Sequence, residues 1–154
     1  MRRIIYRSLA APGIDRVETF RLVFQARMAN EARGLSGFLV HIEDHFYQVL
    51  EGPTWKLVAT FDTIRRDGRH TNVEVIDERS IPEPCFASWR MRYFDGRDVR
   101  RMMNQIAEVT GGQVPRAVRE SLIEFLGPEL LRPVSAAARP VLLEAVPPSF
   151  PRPC

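Results

Sequence analysis

The strand that decides the fold of this chain reads Phe46-Tyr47-Gln48-Val49-Leu50-Glu51-Gly52. Aromatic and branched apolar residues fill it and a Gly-Pro step ends it, a pattern typical of a buried β-strand. Because side chains alternate between the two faces of a strand, Gln48 shares a face with Phe46 and Leu50. A buried amide without hydrogen-bond partners costs about 1–3 kcal/mol. We therefore expect a side chain or a ligand to hydrogen-bond Gln48.

The segments around this strand predict the order β-α-β-β-α-β-β. The predicted strands cover residues 2–8, 37–42, 45–51, 73–77 and 89–94, and the two helices begin at Asp15 and Pro53 and end at Gly34 and Gly68. The short turn Glu43-Asp44 indicates that the second and third strands form a hairpin. Two weakly similar β-α-β halves are typical of one mixed sheet with both helices on one face. The predicted fold class is therefore α+β, a ferredoxin-like sandwich.

Apolar spacing predicts which side of each element faces the core. Asp15 and Glu18 stand in capping-box spacing at the start of the first helix, and Asn30 lies in its last turn. Residues that share a predicted core-facing side are Ile4, Tyr6 and Ser8; Val17, Phe20, Phe24 and Met28; Leu57, Phe61 and Ile64; and Trp89, Met91 and Tyr93.

The C-terminal third of the chain predicts two extra helices and a tail. Residues 98–109 and 115–126 carry apolar residues at helical spacing, and residues 128–154 hold seven of the twelve prolines. The predicted organisation is a domain over 1–95, a helical extension over 96–127 and a Pro-rich, flexible tail over 128–154. The two helices either pack on the open face of the sheet or contact a partner, and both roles are compatible.

Composition excludes several classes of protein. The net charge of +3 comes from 22 basic and 19 acidic residues without a long basic run, which argues against a nucleic-acid partner. No apolar run approaches the length of a membrane span, and no signal peptide precedes the first strand, so we expect a soluble, cytoplasmic protein. Cys85 and Cys154, with three scattered histidines, predict neither a disulfide nor a zinc site.

Residue chemistry alone does not indicate an enzyme. The chain has no nucleophile elbow, Walker loop or dinucleotide glycine fingerprint, and no phosphate loop of the acylphosphatase type follows the first strand. Glu51 lies at a strand end on the side opposite Gln48, and Cys85 has no cationic neighbour in sequence. Taken singly, Tyr6, Gln48 and Asn30 have ordinary explanations: a tyrosine bonded to a backbone carbonyl, a structural amide and a helix cap.

Five short motifs, in their order and spacing, resemble the BLUF family of blue-light sensors that use FAD, from about residue 2 to residue 94. The motifs are Tyr6-Arg7-Ser8, Asn30 before Leu35-Ser36-Gly37, Phe46 to Gly52, Arg66-Asp67-Gly68-Arg69-His70, and Trp89-Arg90-Met91. Each motif alone is weak, and the set of five is specific.

The resemblance implies that a flavin lies between the two helices. It implies that Tyr6 is the electron donor, that Gln48 bonds both flavin and tyrosine, and that Asn30 holds the pyrimidine edge. Further contacts to FAD are implied for Arg66, Asp67, Arg69 and His70, with Arg65, Arg66 or Arg69 near the pyrophosphate. Trp89 and Met91 resemble the pair near the glutamine. Ala29 departs from members that carry a polar residue there, which leaves Asn30 as the single amide at this edge.

The implied function is a blue-light photoreceptor that is not an enzyme. Electron and proton transfer from Tyr6 would rearrange the hydrogen bonds of Gln48, and strand five and the C-terminal helices would pass the signal to a separate effector or to an oligomer. The alternative is a light-insensitive ferredoxin-like module that binds a ligand or a partner.

Overall fold

A computed structural model describes residues 1–131 of the chain. Its elements are β1 (Arg2–Ala10), α1 (Arg16–Arg33), β2 (Ser36–Ile42), β3 (His45–Gly52), α2 (Thr54–Arg66), β4 (His70–Ser80), β5 (Arg92–Phe94), α3 (Val99–Val109) and α4 (Arg116–Leu131). The five strands form one sheet in the order β4-β1-β3-β2-β5. β5 is parallel to β2, and the other neighbours are antiparallel. The predicted ferredoxin-like α+β fold is confirmed.

The sheet separates two apolar clusters because alternate residues of each strand point to opposite sides. The cluster beneath α1 and α2 contains Ile4, Tyr6, Leu39, Phe46, Leu50, Leu57, Phe61 and Met91. The cluster beneath α3 and α4 contains Ile5, Phe38, Val40, Tyr47, Val49, Phe86, Met102, Ile106, Val118, Leu122 and Leu126. The C-terminal helices therefore cover the second face of the sheet with their apolar sides.

The predicted buried stripe of α1 is wrong. Val17, Phe20, Phe24 and Met28 are exposed by 58%, 72%, 56% and 54%. The residues of α1 that face inward are Thr19, Leu22, Ala26 and Asn30, which have the same helical spacing on another side of the helix. Helical periodicity alone does not distinguish the two rows of residues. The row with the smaller side chains faces the sheet because α1 lies over a cavity.

The last strand is also shorter than predicted. β5 contains only Arg92–Phe94, whereas residues 89–94 were expected to form it. The Trp89 N–H donates to the Phe86 carbonyl over 2.9 Å, and this local turn keeps Trp89 out of the ladder. The expected common face of Trp89, Met91 and Tyr93 is therefore wrong: Trp89 packs against the α3–α4 cluster, Met91 belongs to the α1–α2 cluster and Tyr93 is exposed.

Two other boundaries differ from the expectation. β4 extends over His70–Ser80 rather than residues 73–77, because it pairs along most of β1. α4 continues to Leu131, with a kink at Gly127, where φ is 69°. The predicted Pro-rich tail otherwise lies outside the described residues.

A buried ion pair anchors the segment that leads to β5. Arg3 Nε donates to Glu51 Oε1 over 2.7 Å, and Glu51 Oε2 accepts the Phe86 N–H over 2.9 Å. Arg3 Nη2 also donates to Cys85 Sγ over 3.1 Å, so Cys85 has the cationic neighbour that its sequence context lacks. This clasp joins β1, β3 and residues 85–86 on the face opposite Gln48.

Helices long and apolar enough to cross a membrane are absent from residues 1–131. The same residues contain no group of three or more His, Cys, Asp or Glu side chains placed to hold a metal ion.

Candidate functional site

The register of the sheet brings a tyrosine and a glutamine together under the helices. In the antiparallel pairing of β1 with β3, Tyr6 stands opposite Gln48. The Tyr6 hydroxyl donates a hydrogen bond to Gln48 Oε1. Both side chains are buried. The sequence predicted a hydrogen-bond partner for Gln48 without identifying it. One such partner is the phenol of Tyr6, from the same chain.

The other end of the Gln48 amide faces a methionine. Gln48 Nε2 donates to Met91 Sδ over 3.4 Å. A thioether sulfur is a weak acceptor, so this end of the amide is held loosely. Trp89 instead packs against Phe38 and Phe86, with ring centroids 6.0 and 5.7 Å away. The structure thus places Met91, and not Trp89, beside the glutamine.

A cavity of about 140 Å³ lies between α1 and α2 over this pair. Tyr6 and Gln48 form part of its wall, together with Asn30 of α1 and Thr60 of α2. Ala26 and Ala29 are also in the wall, so small side chains of α1 leave room above the sheet. Sequence reasoning missed Thr60, Thr63 and Gln25 as lining residues. The spacing of Thr60, Thr63 and Ile64 on one side of α2 was the available signal.

Asn30 supplies an unused donor to this cavity. Its backbone carbonyl accepts the Leu35 N–H over 2.9 Å at the end of α1, so the main chain performs the capping. The side-chain Nδ2 is buried and has no hydrogen-bond partner among the described residues. An unsatisfied buried donor costs about 1–3 kcal/mol. A ligand with an acceptor at this edge of the cavity would satisfy it, and the carbonyl-bearing edge of a flavin has that chemistry.

Charged and titratable groups gather where α2 leads into β4. Arg69 donates to the Asp67 carboxylate through Nε and Nη2, over 2.9 and 2.6 Å. This guanidinium holds the pKa of Asp67 below its usual value. Arg69 Nη1 also donates to Gln25 Oε1 of α1 over 2.8 Å, so it bridges two walls of the cavity. His70 Nδ1 lies 3.0 Å from Ser8 Oγ, and burial lowers the pKa of His70, which favours the neutral ring.

The environment of Tyr6 favours the neutral phenol. Burial raises its pKa far above the ordinary value, and the negative charge of Asp67 acts in the same direction. A phenol that loses an electron becomes strongly acidic, and charge is costly in a buried site. The Gln48 oxygen is the acceptor already bonded to that proton. The proton of the Tyr6 phenol therefore has an acceptor within the same buried pair.

Three of the predicted site residues lie outside the cavity wall. Arg66 is exposed at the end of α2, Trp89 packs on the other side of the sheet, and Met91 contacts the cavity only through its hydrogen bond with Gln48. Tyr6, Asn30, Gln48, Asp67, Arg69 and His70 all line the cavity.

A family model described as sensors of blue-light using FAD matches residues 1–92. The photoactivated adenylate cyclase subunit alpha of Euglena gracilis is 31% identical over 85 residues, which are 55% of this chain and 8% of that protein. The matched part of this chain thus spans about a tenth or less of the length of these curated relatives.

Solved structures show the same fold. The structure described as BlrP1 BLUF has a TM-score of 0.70 and 26% identity, and the match covers 82% of this chain and 89% of that one. The dark-state structure of BlrB, a BLUF protein, has a TM-score of 0.63 and 23% identity, with 79% and 93% covered.

Proposed function

Because the chain belongs to the BLUF family, the sensors of blue light that use FAD, we propose that Tyr6 and Gln48 carry its response to blue light. The observation that supports this proposal is the buried Tyr6–Gln48 hydrogen bond in the wall of a cavity where the Asn30 amide lacks a partner. We further propose that residues 1–95 form the sensor domain and that residues 96–127 extend it.

The residues that would hold FAD are those of the cavity wall. Asn30 and Gln48 offer amide donors to the ring, and Asp67, Arg69 and His70 offer polar contacts where α2 meets β4. Arg66 and Arg65 are exposed nearby and suit the pyrophosphate rather than the ring. FAD, when bound, would supply the absorption of blue light and the electron acceptor.

Tyr6 and Gln48 would then act as one unit. With FAD bound, Tyr6 would give an electron to the excited ring and its proton to the Gln48 oxygen, which already accepts its hydrogen bond. Both would return to Tyr6 when the charges recombine, so that only the hydrogen bonds of Gln48 would remain rearranged. An amide carries a donor and an acceptor, so turning or tautomerising Gln48 exchanges their places without moving the backbone. The weak bond from Nε2 to Met91 offers little resistance to that exchange.

The energy of this switch limits what it can drive. One rearranged neutral hydrogen bond is worth about 0.5–1.5 kcal/mol, whereas moving a two-state element from 1:99 to 99:1 needs about 5.5 kcal/mol. We therefore propose that the signal reaches an already poised element through Met91 and β5. Arg92 Nη2 donates to Gln105 Oε1 over 3.0 Å, which links β5 to α3.

We propose that the output is an effector protein and that the described residues themselves perform no catalysis. Relatives named photoactivated adenylate cyclase support a link between this kind of sensor and an effector. A homo-oligomer that rearranges in light is the other form of output.

The test of this function is optical. We expect the purified protein to bind FAD and to show a small, reversible red shift of its absorption under blue light. Gln48→Leu should abolish the shift while FAD stays bound, because leucine cannot relay a proton or exchange hydrogen bonds. Gln113→Leu, at an exposed glutamine, is the matched control and should keep the shift. A normal shift in Gln48→Leu contradicts the mechanism, and a protein that takes up no FAD supports the light-insensitive module.

A further inference from the structure

The outward side of α1 carries bulky apolar residues that nothing in residues 1–131 covers. Val17, Phe20, Phe24 and Met28 follow one another at helical spacing, and each is more than half exposed. Contiguous exposed apolar patches of this kind mark interaction sites in soluble proteins. The apolar sides of α3 and α4, by contrast, are buried against the sheet.

This stripe borders a groove with a defined second wall. A groove of about 420 Å³ runs between α1 and residues 88–93, and we call it the α1–β5 groove. Phe20 and Phe24 line it from α1, and Trp89, Met91 and Tyr93 line it from the other side. Aromatic side chains and methionine are enriched in the core of protein–protein interfaces. The groove therefore has the composition of a docking site.

The charges of the groove indicate what kind of segment would bind. Three arginines line it, Arg27, Arg90 and Arg92, and no acidic residue does. Arg27 and Arg90 form no ion pair with another described residue, and Arg92 donates to the neutral amide of Gln105. A second copy of the same groove would bring like charges together, whereas an acidic partner would neutralise the arginines.

Met91 connects this groove to the candidate site. It lines the groove, and its sulfur accepts the hydrogen bond from Gln48 Nε2. A change in the direction of the Gln48 amide replaces the donor that Met91 faces, so Met91 must adjust its position in the groove wall. By reciprocity, a segment bound in the groove must also favour one arrangement of Gln48.

We propose that the α1–β5 groove binds an amphipathic segment of the effector protein, apolar on one side with acidic residues at its flanks, and that Met91 couples this groove to Gln48. The docking surface is thereby assigned to α1 and β5 rather than to the C-terminal helices. The coupling rests on the proposed photochemistry, while the docking can be measured in the dark without it.

A synthetic peptide tests the docking. The probe is a fluorescein-labelled 16-residue amphipathic helix with leucines on one side and glutamates on its flanks, measured by fluorescence anisotropy against the full chain in the dark. A second peptide with lysine in place of every glutamate is the charge control. We expect the glutamate peptide to bind at least tenfold more tightly. Equal affinity of the two peptides would overturn the proposal.

Variants locate the binding on the surface. Phe20→Ser and Phe24→Ser should each weaken binding at least tenfold, and Arg27→Glu should reduce the preference for the glutamate peptide. Trp55→Ser is the matched control, since Trp55 of α2 is 73% exposed and lies outside the groove. These positions are exposed, so the fold should tolerate the changes. Equal losses for Phe20→Ser and Trp55→Ser would contradict a site in the groove.

Two other occupants are distinguishable. A solution dimer that Phe24→Ser dissociates would assign the groove to a second copy of the chain. A benzophenone side chain at position 24 that cross-links to residues 132–154 would assign it to the chain's own C-terminal segment. Either result would overturn the proposed occupant.

Illumination tests the coupling separately. In protein that shows the red shift, we expect the peptide affinity to change about threefold between light and dark, a size that one rearranged hydrogen bond can supply. An unchanged affinity in fully red-shifted protein would refute coupling through Met91. Loss of the red shift itself would instead count against the proposed function and would leave the dark docking result standing.

Discussion

At the scale of single residues, the candidate site depends on an amide held unequally at its two ends. Gln48 Oε1 accepts from the phenol of Tyr6, and Nε2 donates to the sulfur of Met91. A hydroxyl–oxygen bond is strong and a bond to a thioether is weak. The hydrogen bond to Tyr6 therefore orients the amide, whereas the hydrogen bond to Met91 is easily replaced by another.

We expect Asn30 to lower the stability of the FAD-free protein and to strengthen FAD binding. Asn30→Leu removes an unsatisfied buried donor, so the FAD-free protein should unfold at the same or a higher urea concentration, with a gain of up to about 1–3 kcal/mol. The same change should weaken FAD binding about tenfold, or about 1.4 kcal/mol, in a fluorescence titration. Asn104→Leu, at an exposed asparagine, is the control for both measurements. Equal FAD affinity in Asn30→Leu would refute the proposed ring contact.

His70 should make stability depend on pH. Burial lowers its pKa, so the unfolded chain binds more protons than the folded one between that lowered pKa and the ordinary value of about 6.5. Stability contributed by His70 is therefore complete above this window and is lost as the pH falls through it. Urea unfolding at pH 7 and pH 5 should show a smaller loss in His70→Gln than in the unchanged protein.

The remaining loss in that variant has an identified source. Burial also lowers the pKa of His41, which should contribute in the same direction. The hydrogen bond between His70 and Ser8 affects stability at both pH values, so the difference between them is the relevant quantity. An unchanged difference between the two pH values in His70→Gln would contradict the assignment to His70.

At the scale of elements, short irregular segments position the site as firmly as the strands do. Residues 81–91 are largely outside regular structure, yet they carry Met91 to Gln48. The Arg3–Glu51 clasp holds this segment through the Phe86 N–H, and the Gly37 N–H donates to the Trp89 carbonyl over 2.8 Å. Gly37 has a φ of 140° and a Cβ there would meet the Val49 carbonyl, so only glycine fits where this segment crosses β2.

Breaking the clasp should be costly. Glu51→Gln leaves the Arg3 charge buried without a counter-charge, and such a change typically destabilises a protein by about 3–5 kcal/mol. Denaturant unfolding should show that loss. Glu78→Gln, which breaks the more exposed Arg2–Glu78 pair, is the matched control and should cost at most about 1 kcal/mol. A similar loss of unfolding free energy in both variants would mean that the buried Arg3–Glu51 pair contributes no more to stability than the exposed pair.

At the scale of the whole molecule, helices cover both faces of the sheet, so a signal from its centre must leave through an edge. β5 is an edge strand that begins directly after Met91, the residue bonded to Gln48, and Arg92 links it to α3. We expect blue light to raise amide hydrogen exchange in residues 88–94 and in α3, while the central ladder of β1 with β3 stays protected. Mass spectrometry of dark and illuminated protein measures this. An identical exchange pattern across residues 89–126 would exclude this route.

The sequence by itself determined the element order, the alternation of each strand and the set of polar residues that do not belong in a plain core. These properties are local, because they depend on residues a few positions apart. It therefore predicted that Tyr6 and Gln48 lie on faces that can meet. Asn30, Asp67, Arg69 and His70, which line the cavity, were indicated only by the resemblance of the five motifs to a known family.

Only the tertiary structure decided between arrangements that are locally equivalent. The two rows of α1 have the same period, and the cavity selects the small row while Phe20 and Phe24 stay outside. Trp89 and Met91 both precede β5, and a turn sends them to opposite clusters. Arg3 and Cys85 are 82 positions apart and meet only because the sheet brings them together. Such choices depend on which surfaces are buried at the same time, and that competition is settled by packing of the whole chain.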